Sequence, residues 1–222
     1  GWMPDGKRIV FEHSEAVRSR RRFSSKTLLS ISANGGGTPI SIMPDSLRGA
    51  SPTWSQDGRF LIFSDRGQIW YVDYRGGKQP EQLMRLRMGF AMEPSLSRDG
   101  RYLAYTSNES GKFEVYATRF PSGEGRWQLS SSGGSRPRWS AQDDEVFYVE
   151  DDKLMAVSID AQAGFRVGTS TQLFEERLVQ AVPFRFSGYD VTPDGQRFVI
   201  VRNAGTFRPM MTIVENWSVE FK

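Results

Sequence analysis

A ten-residue pattern recurs along the chain and constrains its fold more than any single residue does. Trp2-Met3-Pro4-Asp5-Gly6-Lys7-Arg8-Ile9-Val10-Phe11 returns as Trp54-Ser55-Gln56-Asp57-Gly58-Arg59-Phe60-Leu61-Ile62-Phe63. It returns again as Leu96-Ser97-Arg98-Asp99-Gly100-Arg101-Tyr102-Leu103-Ala104-Tyr105. A degenerate fourth copy, Trp139-Ser140-Ala141-Gln142-Asp143-Asp144-Glu145-Val146-Phe147-Tyr148, has aspartate at the glycine position. Val191-Thr192-Pro193-Asp194-Gly195-Gln196-Arg197-Phe198-Val199-Ile200 is a clean fifth. The glycine position thus falls at residues 6, 58, 100, 143 and 195, close to the roughly 40–50-residue period of propeller blades. Stacked repeats bury a core only together, so residues 1–222 are expected to form a single domain.

Each copy reads as strand, tight turn, strand. Asp-Gly between a strand-like segment and an apolar run is a hairpin signal, and Pro4 and Pro193 suit the first central position of a type I turn. The glycine then takes the left-handed conformation, which Asp143 tolerates at some cost. The strand that follows, as in Phe60-Leu61-Ile62-Phe63, is apolar on both faces, so both faces are covered. A second turn, Asp65-Arg66-Gly67 or Asn108-Glu109-Ser110-Gly111, leads to a third strand, and a short fourth strand such as Glu81-Gln82-Leu83-Met84 closes the unit. Four antiparallel strands per unit, stacked about an axis, predict an all-β protein, a β-propeller. Its blades are expected over roughly 1–45, 51–85, 92–130, 136–175 and 187–222.

The stretch from Glu93 to Ser107 with its neighbours resembles the WD-like repeats of TolB and related six-bladed bacterial propellers, and the match covers nearly the whole chain. Arg136-Pro137-Arg138-Trp139-Ser140, Lys153-Leu154-Met155-Ala156-Val157, Gln172-Leu173-Phe174-Glu175, Tyr189-Asp190-Val191-Thr192-Pro193-Asp194-Gly195 and Glu215-Asn216-Trp217 are similar, in that order, to the C-terminal propellers of some bacterial serine/threonine kinases. The resemblance implies a periplasmic or otherwise extracytoplasmic module that binds a protein or ligand and carries no catalytic machinery. It also implies six blades where five repeats are counted, so about one blade is expected upstream of Trp2. The alternative reading is the substrate-gating propeller of a prolyl-oligopeptidase-like serine peptidase whose hydrolase domain is not in this chain.

Composition narrows the chemistry. A net charge of +3, from 29 basic and 26 acidic residues, is too balanced for a nucleic-acid-binding surface. With no cysteine there is no disulfide, thiolate nucleophile or thiolate metal site. No apolar run reaches the ~18 residues of a membrane span, and Gly1-Trp2-Met3-Pro4 does not resemble a signal peptide. His13, the one histidine, cannot build a histidine metal site, and the acidic Glu150-Asp151-Asp152 reads as a solvated turn. No Gly-x-Ser-x-Gly elbow occurs, and neither Ser131-Ser132-Gly133-Gly134-Ser135 nor Gly35-Gly36-Gly37-Thr38 has the context of a nucleophile or phosphate loop. No cofactor, metal or catalytic residue is therefore expected. The densest charge run, Arg18, Arg20, Arg21 and Arg22, reads as a solvated hairpin tip.

Binding is expected where propellers present variable residues. The innermost strand of each blade lines the channel, while the loops leading into it share a rim with the turns between second and third strands. This places Glu93, Arg136, Arg138, Tyr189 and Asp190 at the channel and rim, with Arg66 and Asn108 at outer turns. Trp54 and Trp139 recur at equivalent positions and are read as packing between blades.

Overall fold

Strands follow the apolar runs, and within each sheet consecutive strands pair antiparallel. The computed structural model describes residues 2–15, 25–43, 46–77, 79–84, 86, 88–162, 164–175, 188–192, 195, 197–203 and 209–215. Among them the strands form five sheets. The first holds β1 (Arg8–Glu15), β2 (Ser25–Ser32) and β3 (Ile40–Ser41). The second holds β4 (Ala50–Trp54), β5 (Phe60–Asp65), β6 (Gln68–Asp73) and β7 (Glu81–Gln82), and the third β8 (Ala91–Leu96), β9 (Tyr102–Ser107), β10 (Glu114–Arg119) and β11 (Trp127–Gln128). The fourth holds β12 (Ser135–Trp139), β13 (Glu145–Glu150), β14 (Lys153–Asp160) and β15 (Arg166–Glu175). The fifth holds β16 (Tyr189–Val191), β17 (Arg197–Asn203) and β18 (Pro209–Glu215). Repeat alignment makes β1 a second strand, equivalent to β5 and β9, with an isolated Trp2–Ile9 bridge ahead of it.

The apolar runs bury both faces because sheet stacks on sheet. Val10 and Leu28 of the first sheet pack with Leu61 and Phe63 of the second. Ile62 and Ile69 of the second pack with Leu103 and Tyr105 of the third. Tyr102 and Val115 of the third meet Val146 and Tyr148 of the fourth, and Phe147 and Leu154 of the fourth meet Phe198 and Ile200 of the fifth. Every residue of β9 is buried. Each such aliphatic or aromatic side chain contributes about 1.5–3 kcal/mol by leaving water.

The recurrent Ser-x-Asp-Gly is turn chemistry. Gly6, Gly58, Gly100 and Gly195 have φ of 64°, 70°, 74° and 69°, and Asp143 follows at 59°. In the second copy the Ser55 hydroxyl donates to Asp57 Oδ1 (2.6 Å) and accepts from Phe60 N (2.8 Å), while Arg59 N donates to the same carboxylate oxygen (2.9 Å). Ser97, Asp99, Arg101 and Tyr102 repeat the arrangement in the third. In the fourth, Ser140 donates instead to Asp144 (2.7 Å), which frees Asp143 for another partner. Its carboxylate crosses to the third sheet and accepts from the backbone nitrogens of Arg98 (2.7 Å) and Asp99 (2.8 Å). Burial pushes the Asp143 carboxyl above the ordinary carboxylate value, against the lowering effect of these two bonds.

Candidate functional site

The leading strands β4, β8 and β12 each carry a bulge at a residue followed by proline. Register slips between Ala50 and Thr53, between Met92 and Ser95, and between Ser135 and Arg138. At each slip a non-glycine residue is left-handed: Ser51 at φ 51°, Glu93 at 55° and Arg136 at 58°. Such conformations cost of order 1–3 kcal/mol and persist where surrounding bonds hold them. At Ser51 and Arg136 the preceding sheet supplies the bonds. Ser51 N donates to the Glu12 carboxylate (2.7 Å), and Arg136 N donates to Glu93 Oε2 (2.9 Å) and Thr106 Oγ1 (3.0 Å). Thr106 also donates to Glu93 (2.8 Å).

Five of the seven residues expected from sequence meet along this inner surface. Arg136 Nε lies 3.8 Å from Glu93 Oε1, with side chains only 9% and 13% exposed, so the pair links β8 to β12 in a dry setting. Tyr189 continues the line from β16: its hydroxyl donates to Arg136 O (2.8 Å) and the residue is buried. Burial drives the phenol pKa far upward, so Tyr189 stays neutral and remains a donor. Arg138, two residues along β12, faces Asp190 with Nε 3.8 Å from Oδ1. This pair is the accessible part of the group, since Asp190 is 77% exposed and Arg138 26%. Glu93, Arg136 and Tyr189 hold blade to blade; Arg138 and Asp190 present charge to solvent.

Arg66 and Asn108 sit apart from that line, in the turns that follow β5 and β9. Arg66 is exposed and left-handed (φ 48°) in the turn between β5 and β6. Asn108 Oδ1 accepts from Phe90 N (2.6 Å), and Ala91 N donates to Gly67 O (2.7 Å), so the two turns grip the segment leading into β8. That segment presents Met88 (81% exposed) and Phe90 (52%), which the sequence reading did not single out. The available signal was the connection beyond β7, Leu83 to Phe90, with five apolar residues and two arginines among them.

The other sequence candidates take structural places. Trp139 is buried between the third and fourth sheets and its Nε1 donates to Ser95 O (3.0 Å), while Trp54 meets Tyr74 edge to face at 5.2 Å. His13 is exposed on β1, paired with Thr27. Gly35 and Gly37 have positive φ in the connection from β2 to β3, and Gly36 N donates to Asn34 Oδ1 (3.0 Å). Gly133 N donates to the Glu114 carboxylate in the connection between the third and fourth sheets. Asp151 is left-handed (φ 50°) in a turn, and among the described residues no group of three or more His, Cys, Asp or Glu is placed to hold a metal ion. Arg18, Arg20, Arg21 and Arg22 lie outside the described residues. No described helix is long and apolar enough to cross a membrane.

Comparison with known proteins bears on the architecture. A TolB structure from Agrobacterium tumefaciens superposes with a TM-score of 0.71 at 16% identity, covering 97% of this chain and 76% of that one. TolB from Acinetobacter baumannii gives 0.65 at 20% identity, covering 97% of this chain and 50% of that one. A nidogen/laminin complex gives 0.61 at 13% identity over 86% of this chain and 71% of that one. No protein-family profile matches the chain, and no curated protein matches by sequence. The fold is thus that of a TolB-like β-propeller, and the chain spans about half to three quarters of the TolB chains it resembles.

Proposed function

We propose that this TolB-like propeller is a non-catalytic binding module, which presents the channel residues Arg138 and Asp190, and separately the rim turns that carry Arg66 and Asn108, to a protein or ligand. The observation that carries the reading is the division of labour along the inner strands. Glu93, Arg136 and Tyr189 are consumed in bonds between sheets, and they fix the backbone from which Arg138 and Asp190 project, opposite in charge and open to solvent. Pre-positioned charges on a rigid frame bind with little ordering cost. The exposed Met88 and Phe90 add apolar area of the kind interfaces use. The nidogen/laminin neighbour is itself a protein complex, which supports a protein partner. The narrower reading places the module outside the cytoplasm, as the C-terminal domain of a bacterial serine/threonine kinase, and rests on the resemblance of the repeats alone.

Photo-crosslinking in producing cells tests this. With benzoylphenylalanine at position 190, discrete adducts are expected that do not form from position 40, an exposed site on the outer strand β3. Arg138→Glu should abolish them. Equal adducts at both positions, or none at 190, would overturn the reading.

A further inference from the structure

Asp143 shows what the turns on the opposite face can bind. Its carboxylate sits across two successive backbone N–H groups, those of Arg98 and Asp99, in the turn of the neighbouring sheet. Consecutive amides in a turn make an anion seat. The repeat places the same donor pair one sheet earlier, at Gln56 and Asp57, and there the counterpart of Asp143 is Gly100. No side chain arrives. Neither Gln56 N nor Asp57 N has a hydrogen-bond partner among the described residues, and a Cβ built on Gly100 would meet nothing within 4 Å. At the preceding junction the space is filled differently, since a Cβ on Gly58 would lie 3.4 Å from Pro4.

The place is a cavity of ≈ 460 Å³ whose polar lining includes Gln56, Asp57, Arg98, Asp99 and Gly100 and whose apolar lining is Phe60, Leu96 and Phe120. That volume falls in the range of small-molecule sites, roughly 300–1,000 Å³. Arg98 leans across it, its Nε 3.4 Å from Gln56 Oε1, and supplies further guanidinium N–H groups. The aromatic floor is fixed by the edge-to-face contact of Phe60 with Phe120 at 5.2 Å. Asp57 Oδ1 is engaged by Ser55 and Arg59, so the seat for an acid is the amide pair and not this carboxylate. Asp57 and Asp99 also line the cavity, and Asp143 shows that the amide pair can hold a carboxylate against such a charge: it keeps both bonds although the Asp99 charge opposes its ionisation.

We propose that this cavity between the second and third sheets binds a carboxylate joined to a compact apolar group: the carboxylate on Gln56 N, Asp57 N and the Arg98 guanidinium, the apolar body on Phe60, Leu96 and Phe120. The site lies on the face away from the rim and is independent of the rim reading. Amide-resolved NMR titration of the full chain tests it, with 3-phenylpropionate as probe and 3-phenylpropionamide as its uncharged control. Saturable shifts are expected at the Gln56 and Asp57 amides with the acid, and binding at least about tenfold weaker with the amide, since charge-assisted bonds are lost. Gly100→Asp supplies the carboxylate intramolecularly and should cost at least about tenfold in acid affinity. Asp143→Gly vacates the template, so the Arg98 and Asp99 amides should then respond to the acid as they do not in the parent. Acetyl-Ala-Phe with a free C-terminus separates sources: tighter binding than 3-phenylpropionate identifies a chain terminus, weaker binding a free organic acid, and either upholds the carboxylate seat. Equal response to acid and amide, silence at Gln56 and Asp57, or undiminished binding by folded Gly100→Asp overturns the proposal. If Gly100→Asp does not fold, Asp143→Gly decides, and no new response at Arg98 and Asp99 overturns it equally.

Discussion

The junction between the third and fourth sheets and that between the second and third arise from the same repeat, yet they close in different ways. Between the third and fourth, directional bonds act at three heights: Glu93 with Arg136 near the rim, Trp139 Nε1 to Ser95 O midway, and Asp143 on Arg98 N and Asp99 N at the far face. Between the second and third, Leu96 stands where Trp139 would, Gly100 stands where Asp143 would, and a cavity opens at the far face. Aromatic packing is common to both. Phe60, Tyr71 and Phe120 meet at 5.2–6.0 Å in one, and Tyr102, Trp127 and Phe165 at 4.4–6.0 Å in the other. The apolar layer is therefore common to neighbouring blades, while the polar bonds differ in number and place: the second and third sheets keep Ala91 N to Gly67 O and Arg98 Nε to Gln56 Oε1, and lack counterparts of the Trp139 and Asp143 bonds.

The largest expected effect breaks the better-bonded junction at its middle. Trp139→Ala removes a buried indole and should cost about 3–5 kcal/mol in urea unfolding. Trp139→Leu, which copies the third sheet, should recover most of that and leave a deficit of about 1 kcal/mol or more for the lost bond to Ser95 O. A Leu variant as stable as the parent would erase the distinction between the junctions. A smaller effect is expected from Asp143→Ala, about 1–3 kcal/mol, because two amides lose their acceptor and alanine is strained at φ 59°. Asp143→Gly should cost less than Asp143→Ala by the strain it relieves, and the reverse order would show that the backbone is not strained there.

The smallest effect concerns pH. The Ser55 hydroxyl and then the Arg59 amide hold the exposed Asp57 carboxyl below its ordinary value. A depressed folded pKa means that the unfolded chain binds the proton more readily, so the stabilisation is present above the ordinary carboxylate value and is lost as pH falls through the folded one. Asp57→Asn should therefore lie below the parent in stability at pH 6 and converge on it at pH 2. A gap that persists to pH 2 would assign the loss to geometry and not to charge.

Most of the architecture was legible because it is local: Asp-Gly turns, apolar runs covered on both faces and a fixed period all act within one copy. The contacts among the leading strands were legible for a related reason. Glu93, Arg136, Arg138, Tyr189 and Asp190 stand at neighbouring offsets from their repeat glycines, so the stacking of equivalent strands brings them together. Their separate duties were not legible: Tyr189 and Asp190 point to opposite faces of β16, and which face is covered depends on the neighbouring sheet. The carboxylate seat was hidden for the opposite reason: its main ingredients are two backbone amides and the absence of a side chain at Gly100. The degenerate fourth copy was the clue, because a substitution that costs backbone strain implies a compensating contact.

The left-handed residues before Pro52, Pro94 and Pro137 carry a consequence for how such a body can be altered. Serine, glutamate and arginine occupy one and the same left-handed position in three successive blades, and the acceptor for the main-chain nitrogen there is a glutamate carboxylate of the preceding sheet, Glu12 for Ser51 and Glu93 for Arg136. Glu93 is both an occupant of such a position and the support of the next one, so a change made there is felt one blade further on. The three positions work like links of a chain: each is fastened by the one before it, and the choice of residue at one link sets how firmly its neighbour is held.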